Sequence, residues 1–264
     1  QNLGELLADN NDDPTGRSDD FTQLYNRRTD FFNGTVDGVF RDAYIAIYRG
    51  NTLIEKVDGI PGMTPENATR IKAEARFIRG LNHYMIVRLF AQPFGFTPNN
   101  THAGITIRTS PSQTPLPRNT VAEVYNSIIG DLVFAAANLP ESNSVYATKW
   151  SAIGLLADVY LDMGDFPTAL SFANQIINSG QFSLDDLDRF EGGGTTENIF
   201  FIKSTFPVDE RGLGFKNNYR SDAPDANPTM RTTKEFYDLA TSDTNDLRGK
   251  KWFRVLNPGE SNEA

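Results

Sequence analysis

The chain has 264 residues, no cysteine and a formal net charge of −9 at neutral pH. This length suits one large domain or two small ones, and a hydrophobic content of 39% is enough for a sizeable core. The acidic balance disfavours nucleic acid and anionic membrane surfaces as partners, and the lack of cysteine excludes disulfides, thiolate zinc sites and cysteine nucleophiles. No apolar run is long enough to span a bilayer. The sequence leaves open whether the protein is cytosolic or has lost a targeting segment.

The N-terminal part predicts three helices. A short helix at residues 3–8 precedes a polar, turn-rich loop, and a long helix is expected at residues 34–58. The third helix, residues 64–90, has Thr64 as a capping residue and Pro65 at its first position. Helical spacing predicts that its core face consists of the apolar residues Ile71, Ala75, Ile78, Met85 and Leu89.

The middle of the chain opens with a long irregular segment. Residues 92–118 contain five prolines, and a loop of this length is usually functional or disordered. Thr120 and Glu123 then form a capping-box pattern, which starts a helix that runs to Pro140. Its predicted apolar face consists of Val124, Ile128, Leu132 and Ala135.

The next segment carries a repeat signal. Tyr160, Gly164, Phe166 and Ala169 stand at the offsets of a tetratricopeptide repeat. Glycine permits the turn between two helices, and alanine permits their close approach, so a helical hairpin ending at Gly180 is expected. Trp150 lies in the first helix of this hairpin, as a predicted core residue.

The C-terminal part changes in character. Residues 198–203 are short, apolar and β-favouring, and predict a strand. Residues 204–231 are irregular, and a helix at 233–241 follows a capping-box pattern from Thr232 to Glu235. The fold class is therefore mainly α: tetratricopeptide-like helical hairpins with long loops and a few short strands.

Several motifs resemble the SusD/RagB family in the same order. Residues 74–94, EARFIRGLNHYMIVRLFAQPF, are similar to that family's core helix. Four more segments resemble the family: residues 117–132 with the Leu139-Pro140 stop, residues 147–165 with ATK and YLDMGD, residues 197–201 with ENIFF, and residues 246–248 with DLR. Together these matches extend across residues 34–250.

The resemblance implies a glycan-binding outer-membrane lipoprotein of Bacteroidetes. It implies no catalytic activity, no cofactor, and delivery of captured oligosaccharide or polysaccharide to a SusC-like TonB-dependent transporter. We expect one SusD-like domain over residues 1–264, with a helical scaffold at 34–180 and a loop-rich part at 181–264. Because family members carry a lipid anchor and a longer C-terminal part, we expect this chain to be the N-terminal part of a longer, surface-exposed protein.

Glycan binding requires flat aromatic faces beside hydrogen-bonding side chains. Two irregular segments offer these residue types. A core or solvated role is the simpler interpretation of each single residue, whereas the resemblance implies that at least one of the two segments contributes to binding. The candidates are Asp9, Arg17, Phe21, Tyr25, Asn26, Phe206, Asn218, Tyr219 and Arg220.

Two other function classes stay open at this stage. A peptide- or protein-binding repeat scaffold needs no glycan site. A glycosidase requires paired carboxylates, for which Asp185, Asp186, Asp188, Glu191, Asp209 and Glu210 qualify by residue type alone. No metal site is expected: His83 and His102 lack metal spacing, with His83 predicted to be buried and satisfied, and a calcium-loop pattern beginning at Asn11 has Thr22 where glutamate is needed.

Overall fold

A computed structural model of the protein describes residues 11–12, 19–184, 196–202, 231–246 and 249. The chain divides into two compact units, one formed by residues 1–39 with 204–264 and the other by residues 40–203. The predicted helix at residues 3–8 lies outside the described residues. The described part is mainly helical, which confirms the predicted fold class.

All but one of the described helices begin and end within two residues of their predicted bounds. The exception is the helix at Asp19–Tyr25, because the sequence analysis expected a loop there. In chain order the elements are β1 (Asn11–Asp12), α1 (Asp19–Tyr25), α2 (Gly34–Lys56), a 3-10 turn (Val57–Gly59), α3 (Pro65–Phe90), a second 3-10 turn (Pro98–Asn100), α4 (Val121–Asn138), α5 (Lys149–Asp162), α6 (Phe166–Asn178), β2 (Arg231–Thr232) and α7 (Lys234–Ser242).

Side-chain caps explain why α3 and α4 start where they do. The Thr64 hydroxyl accepts a hydrogen bond from the Asn67 N–H at 3.3 Å. At α4 the Thr120 hydroxyl accepts from the Glu123 N–H, and the Glu123 carboxylate accepts from the Thr120 N–H at 2.8 Å. Each cap satisfies backbone donors that have no partner within the helix, and stabilises it by about 1 kcal/mol.

The main hydrophobic core lies among α2, α3, α4 and α5 in the unit of residues 40–203. Its fully buried side chains include Ile47, Phe77 and Leu156. The predicted apolar face of α4 is confirmed, because Val124, Ile128, Leu132 and Ala135 are all fully buried. Gly80 permits the close approach of α3 to α4, since a Cβ there would lie 3.3 Å from the Asp131 Cβ.

The predicted core face of α3 is wrong at two positions. Met85 is 50% exposed and Leu89 is 38% exposed. The residues that are buried instead include Phe77, Tyr84 and Val87. Because α3 packs against both α4 and α5, its buried surface is wider than one apolar stripe and also includes polar residues.

A buried polar cluster joins three helices at the centre of this unit. The Arg79 guanidinium donates to both carboxylate oxygens of Asp131, at 2.7 and 2.6 Å, and to the Asn51 side-chain oxygen at 2.7 Å. All three residues are buried. A paired, fully hydrogen-bonded charge avoids the cost of an isolated buried ion, so the cluster fixes α2, α3 and α4 relative to one another.

The proline-rich segment, residues 92–118, is irregular as predicted and is anchored through its backbone carbonyls. The Asn51 amide donates to the carbonyls of Arg108 and Ser110, at 3.1 and 3.2 Å. The Tyr44 hydroxyl donates to the Thr106 carbonyl at 2.7 Å. Side chains of α2 thus supply the hydrogen bonds that a strand partner would otherwise supply.

The predicted helical hairpin is confirmed as α5 and α6. Gly164 forms the turn with φ of 76°, a conformation that other residues adopt at a cost. Ala169 is buried, and the Tyr160 ring stacks on Phe172 with their centroids 5.6 Å apart. Trp150 is buried as predicted.

The predicted strand at residues 198–203 is wrong for its described part, because residues 198–202 form no ladder there. The Ile199 carbonyl accepts from the Ser151 hydroxyl at 3.3 Å, and the Phe200 ring packs against Phe77 at 5.1 Å. Ile199 and Phe200 therefore pack on helices without a partner strand, whereas Phe201 and Ile202 are exposed.

In the other unit, β1 and β2 form a two-residue antiparallel pair, with Asn11 opposite Thr232. Helix α7 follows β2. Its N-cap is Thr233, whose side chain makes no capping hydrogen bond, so the predicted capping box from Thr232 to Glu235 is wrong.

Candidate functional site

An exposed aromatic pair lies between α1 and α2. We call residues 26–33 the aromatic turn. Phe31 is 93% exposed and Phe32 is 85% exposed, and their rings meet edge to face at 5.4 Å. Tyr25, the last residue of α1, is 36% exposed beside the turn in sequence. Exposed large aromatics on an irregular segment are typical of binding surfaces.

Hydrogen bonds hold the aromatic turn in shape. The Asp30 carboxylate accepts from the Phe32 N–H at 2.8 Å and from the Gln23 amide at 3.1 Å. Asn33 is buried and caps α2, since its side-chain oxygen accepts from the Val36 N–H at 3.0 Å. Its amide nitrogen donates to the Asp20 carbonyl at 3.0 Å. The turn is thereby fixed by polar side chains while both phenyl rings point outward.

The turn also contains a backbone conformation that side chains rarely adopt. Arg27 has φ of 53°, in the left-handed region. Such a residue costs of order 1 kcal/mol or more and persists only where neighbouring contacts impose it. Here the Arg27 N–H donates to the Leu24 carbonyl at 3.0 Å, which closes the end of α1.

Three of the nine predicted site residues are described, and all three lie on or directly after α1. Phe21 is half-buried, Tyr25 is at the edge of exposure, and Asn26 is exposed. The other six lie outside the described residues: Asp9, Arg17, Phe206, Asn218, Tyr219 and Arg220. The glycosidase candidates Asp185, Asp186, Asp188, Glu191, Asp209 and Glu210 lie outside them too.

A second concave surface lies in the unit of residues 40–203. It is a groove of about 650 Å³ between α2 and the proline-rich segment, and we call it the α2 groove. Aromatic and basic side chains line it, among them Phe40, Tyr44, Tyr48, Arg41, Arg49 and Arg108.

Tyr44 is the most deeply placed aromatic residue of the α2 groove. Burial raises the pKa of its hydroxyl, while its hydrogen bond to the Thr106 carbonyl and the Arg108 charge lower it by less. The phenol therefore stays protonated at neutral pH, and its hydroxyl is engaged by the Thr106 carbonyl. Arg108 donates to the Ser112 carbonyl at 3.3 Å, which holds the guanidinium over the proline-rich segment.

A polar cluster at the ends of α3 and α5 contains further groups whose pKa values are shifted. The Tyr84 hydroxyl donates to the Asp162 carboxylate at 2.6 Å, and Arg88 pairs with the same carboxylate at 3.0 Å. Burial raises the pKa of Tyr84 and raises that of Tyr125 to about 12. Both phenols are neutral at physiological pH, and the Tyr84 hydroxyl serves as a hydrogen-bond donor that ties α3 to α5.

His83 is buried as predicted, but its hydrogen bonding is incomplete. Its Nε2 accepts from the Arg108 N–H at 3.4 Å, whereas Nδ1 has no hydrogen-bond partner among the described residues. Burial, with a smaller effect of the Arg79 charge, lowers the pKa of His83 to about 3. The neutral ring is thus a core residue and not a proton carrier at physiological pH.

Within the described ranges, no group of three or more His, Cys, Asp and Glu side chains is placed to hold a metal ion. Over the same residues, none of the helices combines the length and the apolarity that crossing a membrane requires.

Comparison with known proteins identifies the family. Residues 2–161 match the SusD-like family described as "Starch-binding associating with outer membrane". This chain belongs to the SusD-like family. A SusD-like protein of Formosa agariphila, P2, is 30% identical over 192 residues, which cover 69% of this chain and 36% of that protein. The resemblance stated from the sequence motifs is therefore confirmed.

Solved SusD-superfamily structures share the fold of this SusD-like chain. One from Bacteroides thetaiotaomicron is 28% identical with a TM-score of 0.75, and covers 86% of this chain and 52% of its own. A further solved structure, with xylogluco-oligosaccharide, is 20% identical with a TM-score of 0.68, covers 91% of this chain and 52% of its own, and has a similar fold. The match thus spans about half of these solved chains and 28% and 36% of two curated relatives.

Sequence reasoning missed Phe31 and Phe32, and it missed the α2 groove. Two adjacent phenylalanines between Asp30 and Asn33, outside any helical period, were the available signal for the first. The groove had no such signal, because its arginines come from α2 and from a segment about sixty residues further along the chain.

Proposed function

We propose that this protein captures oligosaccharide or polysaccharide at the outer surface of the cell without altering it chemically, and delivers it to a SusC-like TonB-dependent transporter. The family description, starch-binding and associated with the outer membrane, supports this proposal. The related fold solved with xylogluco-oligosaccharide supports a glycan as ligand. A lipid anchor on the full-length protein would hold it at the membrane.

The exposed pair Phe31 and Phe32 is the observation that carries the proposed site. Sugar C–H groups stack on flat rings, and neighbouring side chains such as Asn26 and Tyr25 provide hydrogen bonds to hydroxyls. Because hydrogen bonds already fix the aromatic turn, little conformational entropy is lost when ligand binds. The predicted residues Asp9, Arg17, Phe21, Phe206, Asn218, Tyr219 and Arg220 belong to the same proposal as further contacts.

The helical scaffold offers a surface for the transporter. On α6, Phe166 is 65% exposed, Leu170 is 61% exposed and Ile177 is 68% exposed. An apolar face of this kind on a helical hairpin suits a protein partner. It also fits the alternative of a peptide- or protein-binding scaffold without a glycan role. The glycan-binding experiment distinguishes the two functions.

Native affinity-gel electrophoresis against soluble polysaccharides, including starch and xyloglucan, tests the glycan-binding part. We expect one polysaccharide to retard the protein. Phe31→Ala, Phe32→Ala and Tyr25→Ala should each weaken its affinity about two- to tenfold, since an aromatic contact contributes about 0.5–1.5 kcal/mol beyond its area. Phe166→Ala removes an exposed ring of α6 that is not part of the aromatic turn, and serves as the control. Tyr219→Ala tests the second predicted segment.

Retardation that survives all the aromatic substitutions would contradict the aromatic turn as the site. If no polysaccharide retards the protein, while a co-expressed transporter copurifies with it through α6, the scaffold function is favoured. Release of reducing sugar ends by the pure protein would contradict the non-catalytic proposal.

A further inference from the structure

The α2 groove differs in charge from the protein that contains it. The chain has a net charge of −9, yet the residues that line this groove include three arginines and no carboxylate. Arg41 and Arg49 come from α2 and Arg108 from the proline-rich segment. A concave site lined by one sign of charge concentrates ligands of the opposite sign.

The arginines are spaced along the groove. Arg41 and Arg49 are eight residues apart on one helix, which places them about 12 Å apart along its axis. Both are exposed. Arg41 lies 3.5 Å from the exposed carboxylate of Asp42, a weak pairing at the surface. Guanidinium groups bind carboxylate and sulfate oxygens through paired hydrogen bonds, so this spacing suits two anionic groups on one extended ligand.

Aromatic rings line the groove beside these charges. Phe40 packs against Tyr44 at 4.8 Å and against Phe90 at 5.0 Å, which fixes its position. Tyr48 is 43% exposed in the groove. Rings of this kind provide flat faces for sugar C–H groups. Neutral donors and acceptors on Ser110, Ser112 and Gln113 line the opposite wall.

The groove is formed before ligand arrives. Its outer wall is held by the Asn51 amide, which donates to the Arg108 and Ser110 carbonyls. Asn51 in turn accepts from the buried Arg79 guanidinium. The wall is therefore coupled to the core, which lowers the ordering cost of binding.

We propose that the α2 groove binds an acidic oligosaccharide, in which carboxylate or sulfate groups contact Arg41 and Arg49 and sugar rings pack on Tyr48 and Phe40. The proposal shares the ligand class of the proposed function but concerns a different site. An apolar partner would match the aromatic rings of the groove but not its arginines, whereas an acidic oligosaccharide matches both.

The test is isothermal titration calorimetry of the purified protein with three size-matched probes. Oligogalacturonate carries carboxylates, κ-carrageenan oligosaccharide carries sulfates, and maltooligosaccharide is neutral. We expect at least one acidic probe to bind more tightly than the neutral one, with an affinity that falls as salt rises. The two acidic probes distinguish a carboxylate ligand from a sulfate ligand.

Matched variants separate the groove from general charge attraction. Arg49→Gln and Lys56→Gln each remove one positive charge from the exposed surface at the C-terminal half of α2. We expect Arg49→Gln to weaken acidic-probe binding about three- to tenfold, Arg41→Gln to act similarly, and Lys56→Gln to have little effect. Circular dichroism verifies that each variant is folded.

Three results would overturn this proposal: no binding of either acidic probe at low salt, equal binding of the neutral probe, or equal weakening by Lys56→Gln and Arg49→Gln. Phe31→Ala distinguishes the two proposals. It should weaken glycan binding at the aromatic turn and leave acidic-probe binding in the groove unchanged.

Discussion

The buried polar cluster and the aromatic turn use similar chemistry for opposite purposes. In the cluster, Arg79, Asp131 and Asn51 satisfy one another inside the core. In the turn, Asp30 and Asn33 satisfy the backbone so that Phe31 and Phe32 remain exposed. Polar side chains thus join helices of the scaffold in one region and keep apolar rings exposed in the other.

The contrast between these two regions explains why the family motifs predicted the fold but gave no information about the ligand. Arg79 lies in the EARFIRGL motif and Asp131 in the motif ending at Leu132, and the structure joins them. The motif residues are those that position helices. The exposed rings of the aromatic turn lie outside every motif that resembles the family. Four predictions test this division between scaffold and surface.

Acidification should destabilise the protein through His83. The unfolded chain binds a proton on this residue near pH 6.5, whereas the folded chain does so only near pH 3. His83 therefore contributes stability above pH 6.5 that is lost as pH falls toward 3, on the order of 5 kcal/mol over the full window. Urea unfolding of wild type and His83→Gln at pH 7, 5.5 and 4 measures this. A constant difference between the two proteins across these values would contradict it.

Breaking the buried ion pair should cost about 3–5 kcal/mol. Asp131→Asn keeps the shape of the side chain but leaves the buried Arg79 charge without a counter-ion. The control is Asp58→Asn, because Asp58 pairs with Lys72 at the surface and 64% of its side chain is exposed. This substitution should lower the free energy of unfolding by less than about 1 kcal/mol. Urea unfolding at neutral pH compares the two variants. Similar losses of unfolding free energy would mean that the buried ion pair stabilises the protein no more than the exposed one does.

Removing the cap of α2 should have an intermediate effect. Asn33→Ala deletes the acceptor for the Val36 N–H and the donor to the Asp20 carbonyl, and should lower the free energy of unfolding by about 1–2 kcal/mol. Asn33→Asp keeps the capping oxygen and should lose less. We also expect Asn33→Ala to weaken glycan binding, since it loosens the turn that presents Phe31. Unchanged glycan affinity would mean that the cap of α2 does not position the aromatic turn for binding.

The smallest effect on stability is expected at the exposed rings themselves. Phe31→Ala and Phe32→Ala should change the free energy of unfolding by no more than about 0.5 kcal/mol, since both rings are solvent-exposed. Phe77→Ala, which removes a fully buried ring, should cost about 3–5 kcal/mol. Thermal denaturation measures both. A large loss at Phe31 would mean that the ring packs against the protein in solution.

Local signals predicted much of the scaffold. The Thr120–Glu123 capping box, the apolar face of α4 and the Gly164 turn all depend on residues close together in sequence, and all are confirmed. Two of the errors share one cause. Met85 and Leu89 fit the helical period but face outward, and Ile199 and Phe200 belong to a segment of strand composition but pack on helices. In each case the neighbours that decide the outcome are distant in sequence.

The candidate site was predicted by residue type and only in part by position. Phe21, Tyr25 and Asn26 pointed to α1, and the more exposed rings at Phe31 and Phe32 follow within a few residues. The six remaining candidates stay predictions. No local pattern indicates the α2 groove, because it exists only where hydrogen bonds from Tyr44 and Asn51 hold residues 106–110 beside α2.

The sequence by itself determined helices α2 to α7, the caps of α3 and α4, the repeat hairpin and the family, because these follow from spacing and from motifs of neighbouring residues. Only the tertiary structure decided which side of α3 is buried, that Arg79 meets Asp131 fifty-two residues away, and that three arginines line one groove in an acidic protein. Burial and charge pairing are properties of contacts between distant segments, and no single segment contains them.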